Sequence, residues 1–162
     1  MNIKLNHAIA AMPEVQEFYV SPSGGDESLA LGVYYKQYGS TGTPPITNIY
    51  LGSEFSREEI LKSMFRYKDQ YFVQEKISNE EVAAYLAKGY IIARFDGRME
   101  FGARALGNRS ILGNPSKIEI VKKINTQIKS RDFWMPFTPT ILDTRESDYI
   151  FNPKGISCPY MT

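Results

Sequence analysis

Apolar residues recur at helical spacing in five stretches of the chain, and each stretch carries its own start or stop signal. The first, Ile3 to Met12, is halted by Pro13. The second is headed by Asp26 and lines up Leu29, Ala30, Val33 and Tyr34 on one face. The third, fourth and fifth open with a serine followed three residues later by a glutamate: Ser56 with Glu59, Ser78 with Glu81, and Ser116 with Glu119. In such a pair the hydroxyl and the carboxylate satisfy each other's free helix-end amides. Gly89 stands where the fourth helix should stop. The fifth carries an apolar stripe of Ile118, Val121, Ile124 and Ile128, with Lys122, Lys123 and Lys129 outside it.

Between these stretches the pattern shortens to that of strands. Glu17 to Ser21, Tyr71 to Ile77 and Tyr90 to Phe95 are predicted strands, and Trp134 to Leu142 is predicted as an extended core segment. Ser21 to Gly25 reads as a turn, 38 to 50 as a linker, and 143 to 150 as a polar helix or turn. The alternation gives an α/β (α+β) fold class. No period holds from Asp96 to Pro115, where four glycines interrupt twenty residues. An irregular segment of that length in a compact domain is usually a binding loop or a sign of a wrong element assignment.

Composition adds bounds. The chain has 162 residues, 43% of them hydrophobic, enough to bury a sizeable core. No apolar run reaches the ~18 residues of a membrane span, and the opening lacks an export signal. A single cysteine, Cys158, excludes an internal disulfide framework and is expected to be a small buried side chain in a cytoplasmic protein. Trp134 and the tyrosines are expected in the core, with an aromatic face that stacks an adenine beside the cationic loop as the alternative. His7, the sole histidine, packs or faces solvent, and no Ser-His-Asp set can be built around it.

The formal charge of +1 conceals an asymmetry: residues 94–131 hold nine basic against three acidic side chains, a local +6. Such concentration points to a bound anion: phosphate, nucleotide or nucleic acid. Within 97–115, GRMEFGARALGNRSILGNP, the guanidinium groups of Arg98, Arg104 and Arg109 alternate with glycines that admit a ligand close to the backbone. Glu100 would orient an arginine or hold a metal. An arginine-rich surface loop with local ion pairs is the competing account. Lys129 and Arg131 add cations, although Arg131 could alternatively neutralise a helix C-terminus, the reading favoured when this pair is taken alone. Asp26 reads either as a helix cap, which the spacing favours, or as a carboxylate facing a nucleotide or metal.

The same segment closely resembles the signature GRMEFGPRALGNRSIL of the carbamoyltransferases of the nodulation and antibiotic-tailoring type. VSPSGGDESLALG, YLGSEFSREEI, IKSRDFWMPFTPTIL and SCPYMT are similar, in order and spacing, to further segments of that family. The resemblance implies the tail of an actin-like ATPase-superfold transferase domain over 1–38, a linker over 39–49, and over 50–162 most of an adenylate-forming domain similar to threonylcarbamoyl-AMP synthase (YrdC-like). It implies that ATP, with Mg, and carbamoyl phosphate form carbamoyl adenylate, whose carbamoyl group passes to a hydroxyl of a small-molecule or sugar acceptor.

It also implies that Arg104, Arg109, Lys129 and Arg131 are catalytic, and that Arg98, Glu100, Gly102, Gly107 and Ser110 contact substrate or nucleotide. Asp26 matches a ligand for iron or another divalent metal in an intact parent protein; the histidine pair that would complete that site is absent. Ala103 stands where the family has proline, which should loosen the loop. On this reading the chain is a truncated piece, inactive in full transfer and prone to self-association as a homo-oligomer. A nucleotide- or RNA-binding module without transferase activity is the alternative, disfavoured because aromatic residues are not interleaved with the cations of 97–131.

Overall fold

A computed structural model describes residues 2–39, 46–74 and 76–161. Residues 40–45, the center of the expected linker, lie outside them. The chain forms two units. One comprises Met1–Ile49, Phe101–Arg104 and Thr138–Thr162, and the other Tyr50–Glu100 and Ala105–Phe137.

In the first unit, α1 (Ile3–Ala11) starts at Asn2, whose side chain accepts the Leu5 amide, and α2 spans Glu27–Tyr38. A short helical turn, Asp143–Arg145, leads into α6 (Glu146–Tyr149). The Lys154 ammonium donates to the carbonyls of Ala10, Met12 and Val15, so a cation closes the carboxyl end of α1 and ties two distant parts of the sequence together. The Phe101 amide donates to the carbonyl of the buried Ile49 at 2.7 Å.

In the second unit, α3 (Arg57–Phe65) and α4 (Asn79–Lys88) begin with complete capping boxes, at Ser56 with Glu59 and Ser78 with Glu81. Gly89 ends α4 in the left-handed conformation, as its position predicts. Strand β1 (Ile92–Phe95) pairs antiparallel with β2 (Arg109–Leu112), Ile92 opposite Leu112 and Phe95 opposite Arg109. The fifth helix, α5 (Ile118–Lys123), widens into a π-turn over Ile124–Ile128. Ile120 and Ile124 are buried where Gly113 passes: a Cβ on Gly113 would lie 2.9 Å from Ile120 Cγ2 and 3.0 Å from Ile124 Cδ1. Only glycine lets strand and helix approach so closely here.

Several expectations fail for identifiable reasons. Glu17 to Ser21, and the described part of 71–77, are irregular, because a strand needs a partner for its amides and the two-stranded sheet offers them none. Strand β2 lay hidden in the segment without a period. The third capping box does not form: Ser116 donates both its amide and its hydroxyl to the Asn114 side chain, an Asx turn that delays the helix to Ile118. Asp26 flanks α2 without capping it; instead the Ser23 hydroxyl donates to Glu27, and Ser28 donates to the Ser23 carbonyl.

The expected core is also sparse. Trp134, Leu142 and Cys158 are exposed, and Ile49, Ile120 and Ile124 are the large apolar side chains that become fully buried among the described residues. Large apolar side chains such as Leu29, Phe65, Phe72 and Phe151 stay exposed. Among the described residues no helix is long and apolar enough to cross a membrane.

Candidate phosphate-binding site

The loop between β1 and β2 is organised around one carboxylate. Glu100 Oε1 accepts the amides of Leu106 at 2.8 Å, Asn108 at 2.8 Å and Arg109 at 3.2 Å. Amides that converge on one point favour an anion, and here a side chain of the chain itself supplies it. Burial pushes the Glu100 carboxyl upward, but the surrounding backbone amides together outweigh it and hold the group below its ordinary value of 4.5. Glu100 thus builds the loop rather than orienting an arginine.

Two of the three loop arginines are taken up by the backbone. Arg109 donates to the carbonyls of Asp96, Gly97 and Asn108, and its guanidinium carbon lies 3.7 Å from the centroid of Phe95. Arg98 donates to the carbonyls of Leu51 and Gly52, which fastens 51–53 alongside it. Ser110 accepts the Gly107 amide at 3.0 Å and closes the turn into β2. These residues shape the loop.

Gly102 and Arg104 fall in the first unit. Gly102 has φ of 108°, and a Cβ there would lie 2.7 Å from the Pro22 carbonyl oxygen, so glycine is required for the loop to pass the buried Pro22–Ser23 turn. Arg104 is exposed and makes no hydrogen bond or ion pair to a described residue.

At the end of the π-turn in the second unit, Lys129 is exposed and also unpaired among the described residues. Arg131 is half-buried: Nε donates to Asn125 Oδ1 at 2.7 Å, Nη2 to the Pro136 carbonyl at 3.5 Å, and the guanidinium carbon stands 4.6 Å from the Phe137 centroid. Its Nη1 makes no hydrogen bond to a described residue. Sequence reasoning passed over Asn125, which is fully buried. The signal was available, since a polar residue stands four places from Val121 and three from Ile128 on an otherwise apolar stripe.

Residues 83–162, which include β1, the loop, the π-turn and Arg131, match the family described as carbamoyltransferase C-terminus. This part of the chain belongs to that family. The chain is 36% identical to an uncharacterized protein of Methanocaldococcus jannaschii, over 99% of its own length and 31% of the relative's. It is 29% identical to nodulation protein NolO of Bradyrhizobium diazoefficiens, over 99% and 30%. With nodulation protein U of Azorhizobium caulinodans it shares 32% identity over 99% and 27%. The chain thus spans less than a third of the length of these relatives. In this carbamoyltransferase C-terminus, Arg104, Lys129 and the Nη1 group of Arg131 are the cationic groups of the predicted set without a hydrogen bond or ion pair to a described residue.

No three His, Cys, Asp or Glu side chains converge among the described residues. The donor set around Asp26 does not fit iron or another divalent ion, which needs several protein ligands.

Proposed function

We propose that the chain contributes the phosphate-handling part of an ATP-dependent carbamoyltransferase, with 1–38 as the end of a transferase domain, 39–49 as a linker and 50–162 as an adenylate-forming part. The observation that carries this reading is Arg131: a guanidinium held by Asn125 and set against Phe137, its Nη1 without a hydrogen bond to a described residue, two positions from Lys129, which is likewise unpaired among them, in a carbamoyltransferase C-terminus.

In the proposed reaction, water cleaves carbamoyl phosphate to carbamate and inorganic phosphate. A carbamate oxygen then attacks the α-phosphorus of ATP, which enters as its magnesium salt; the bond to the β-phosphate breaks, and pyrophosphate leaves. The acceptor hydroxyl attacks the carbamoyl carbon, AMP departs, and the hydroxyl proton goes to solvent. Negative charge builds on phosphoryl oxygens in the second step. A fixed guanidinium edge stabilises it without having to reorganise, and the Lys129 ammonium adds a mobile point charge. Arg104 is the further candidate for a phosphate contact, while Glu100, Arg98 and Arg109 hold the loop in shape.

Pyrophosphate exchange tests this chemistry. Labelled pyrophosphate should appear in ATP slowly, only when carbamoyl phosphate is present, and at least ~10-fold more slowly in Arg131→Ala. Exchange that ignores carbamoyl phosphate, or no exchange at all, would sink the adenylate reading. An RNA-binding role fits less well, because the rings of Phe95 and Phe137 that flank the cationic stretch are each faced by an arginine rather than open to a base.

A further inference from the structure

Asn125 has no exposed surface, yet every polar group of its side chain is used. Its Nδ2 donates to the carbonyls of Phe133 at 3.0 Å and Met135 at 2.9 Å, on either side of Trp134. Its Oδ1 accepts Arg131 Nε at 2.7 Å, and its own carbonyl accepts the Arg131 amide at 3.0 Å. One residue therefore holds Arg131 by main chain and side chain together.

The backbone is shaped for this grip. The Lys129 amide donates to the Ile124 carbonyl across the wide π-turn, a departure from regular helix that is frequent at functional sites. Ser130 then adopts φ of 47°, a conformation that costs a residue with a side chain, and turns the chain so that Arg131 comes back to Asn125. A staple joining the helix to the following segment would need only the two Nδ2 bonds. The bond that Nε donates to Oδ1 instead selects one orientation of the guanidinium, against Phe137, in which Nη1 makes no hydrogen bond to a described residue.

We propose that Asn125 is the positioning residue of this site: it touches no substrate, and by fixing Arg131 Nε it aims the Nη1 edge at a phosphate oxygen. The inference rests on the reading of Arg131 as a phosphate ligand. Lys129, with no such support, supplies charge without direction.

The test is calorimetric titration of the whole chain with magnesium ATP, alongside NMR of the arginine Nε–H resonances. In the unaltered protein Arg131 Nε–H gives a protected signal; Asn125→Ser abolishes it and weakens ATP binding about 10-fold, as loss of one charge-assisted orientation would. Because Asn125 acts through Arg131, adding Asn125→Ser to Arg131→Ala produces no further loss. Arg131→Lys keeps the charge and removes only the planar fork that Asn125 grips, so it weakens binding comparably, and it carries the test if Asn125→Ser fails to fold. Unaltered affinity in Asn125→Ser or Arg131→Lys, or losses that multiply in the double variant, would overturn the positioning role alone. Absence of ATP binding by the unaltered chain would overturn the phosphate reading and this role with it.

Discussion

Glu100→Ala is expected to release the loop between β1 and β2 and to lower stability by about 3 kcal/mol at neutral pH. Three amides, of Leu106, Asn108 and Arg109, converge on one half-buried carboxylate oxygen. Hydrogen bonds to a charged acceptor contribute ~1.5 to 3 kcal/mol each, but those sharing an acceptor do not add, and partial exposure to solvent reduces them further. Glu100→Gln keeps a neutral acceptor and should lose about half as much.

The effect has a pH signature. The folded-state value of Glu100 lies below the ordinary 4.5, so its stabilisation is complete above that value and disappears as pH falls through the depressed one. Urea melts of the unaltered protein and of Glu100→Ala should therefore differ by a constant amount from pH 5 to pH 8 and converge in more acidic buffer. Curves that stay parallel down to pH 3 would show that the carboxylate does not hold these amides.

Ile124→Ala should cost about 2 to 4 kcal/mol, a large effect for an aliphatic truncation in a chain whose buried apolar set is small. Ile124 is 5% exposed and begins the π-turn, and its Cδ1 closes the space above Gly113. In a Gly113→Ala background the loss should shrink, because the new methyl occupies part of the vacated volume, whereas Gly113→Ala alone forces that methyl against Ile120 and Ile124. Thermal denaturation of the four proteins measures the coupling. Strictly additive changes would mean that Gly113 and Ile124 do not share a packing contact.

What the sequence made legible was local. Ser56 with Glu59, Ser78 with Glu81, and Gly89 act within a few residues of themselves, and each forms as the spacing predicts. Ser116 with Glu119 has the same spacing but loses its serine to Asn114, a competitor the pattern does not weigh. The expected strand 17–21 needed a partner that periodicity cannot supply, and β2 was masked by the glycines around it. For the site, counting cations located the right stretch without sorting it. Arg98, Arg104 and Arg109 are chemically identical in sequence, yet carbonyl oxygens of neighbouring segments engage two of them and leave Arg104 open. Burial failed as a prediction because hydrophobicity states that Trp134 or Leu142 would gain from cover, not that these units provide it.

The proposed role of the unpaired cations in this carbamoyltransferase C-terminus is to hold phosphate groups of small ligands. Titrating the chain in parallel with carbamoyl phosphate, with magnesium ATP and with a short single-stranded RNA, at one fixed salt concentration, tests it most directly. Both small ligands should bind, Arg131→Ala should weaken each by ~1.5 to 3 kcal/mol, and RNA should bind more weakly than ATP. RNA binding that exceeds both and falls steeply with salt, or small-ligand affinity untouched by Arg131→Ala, would contradict it.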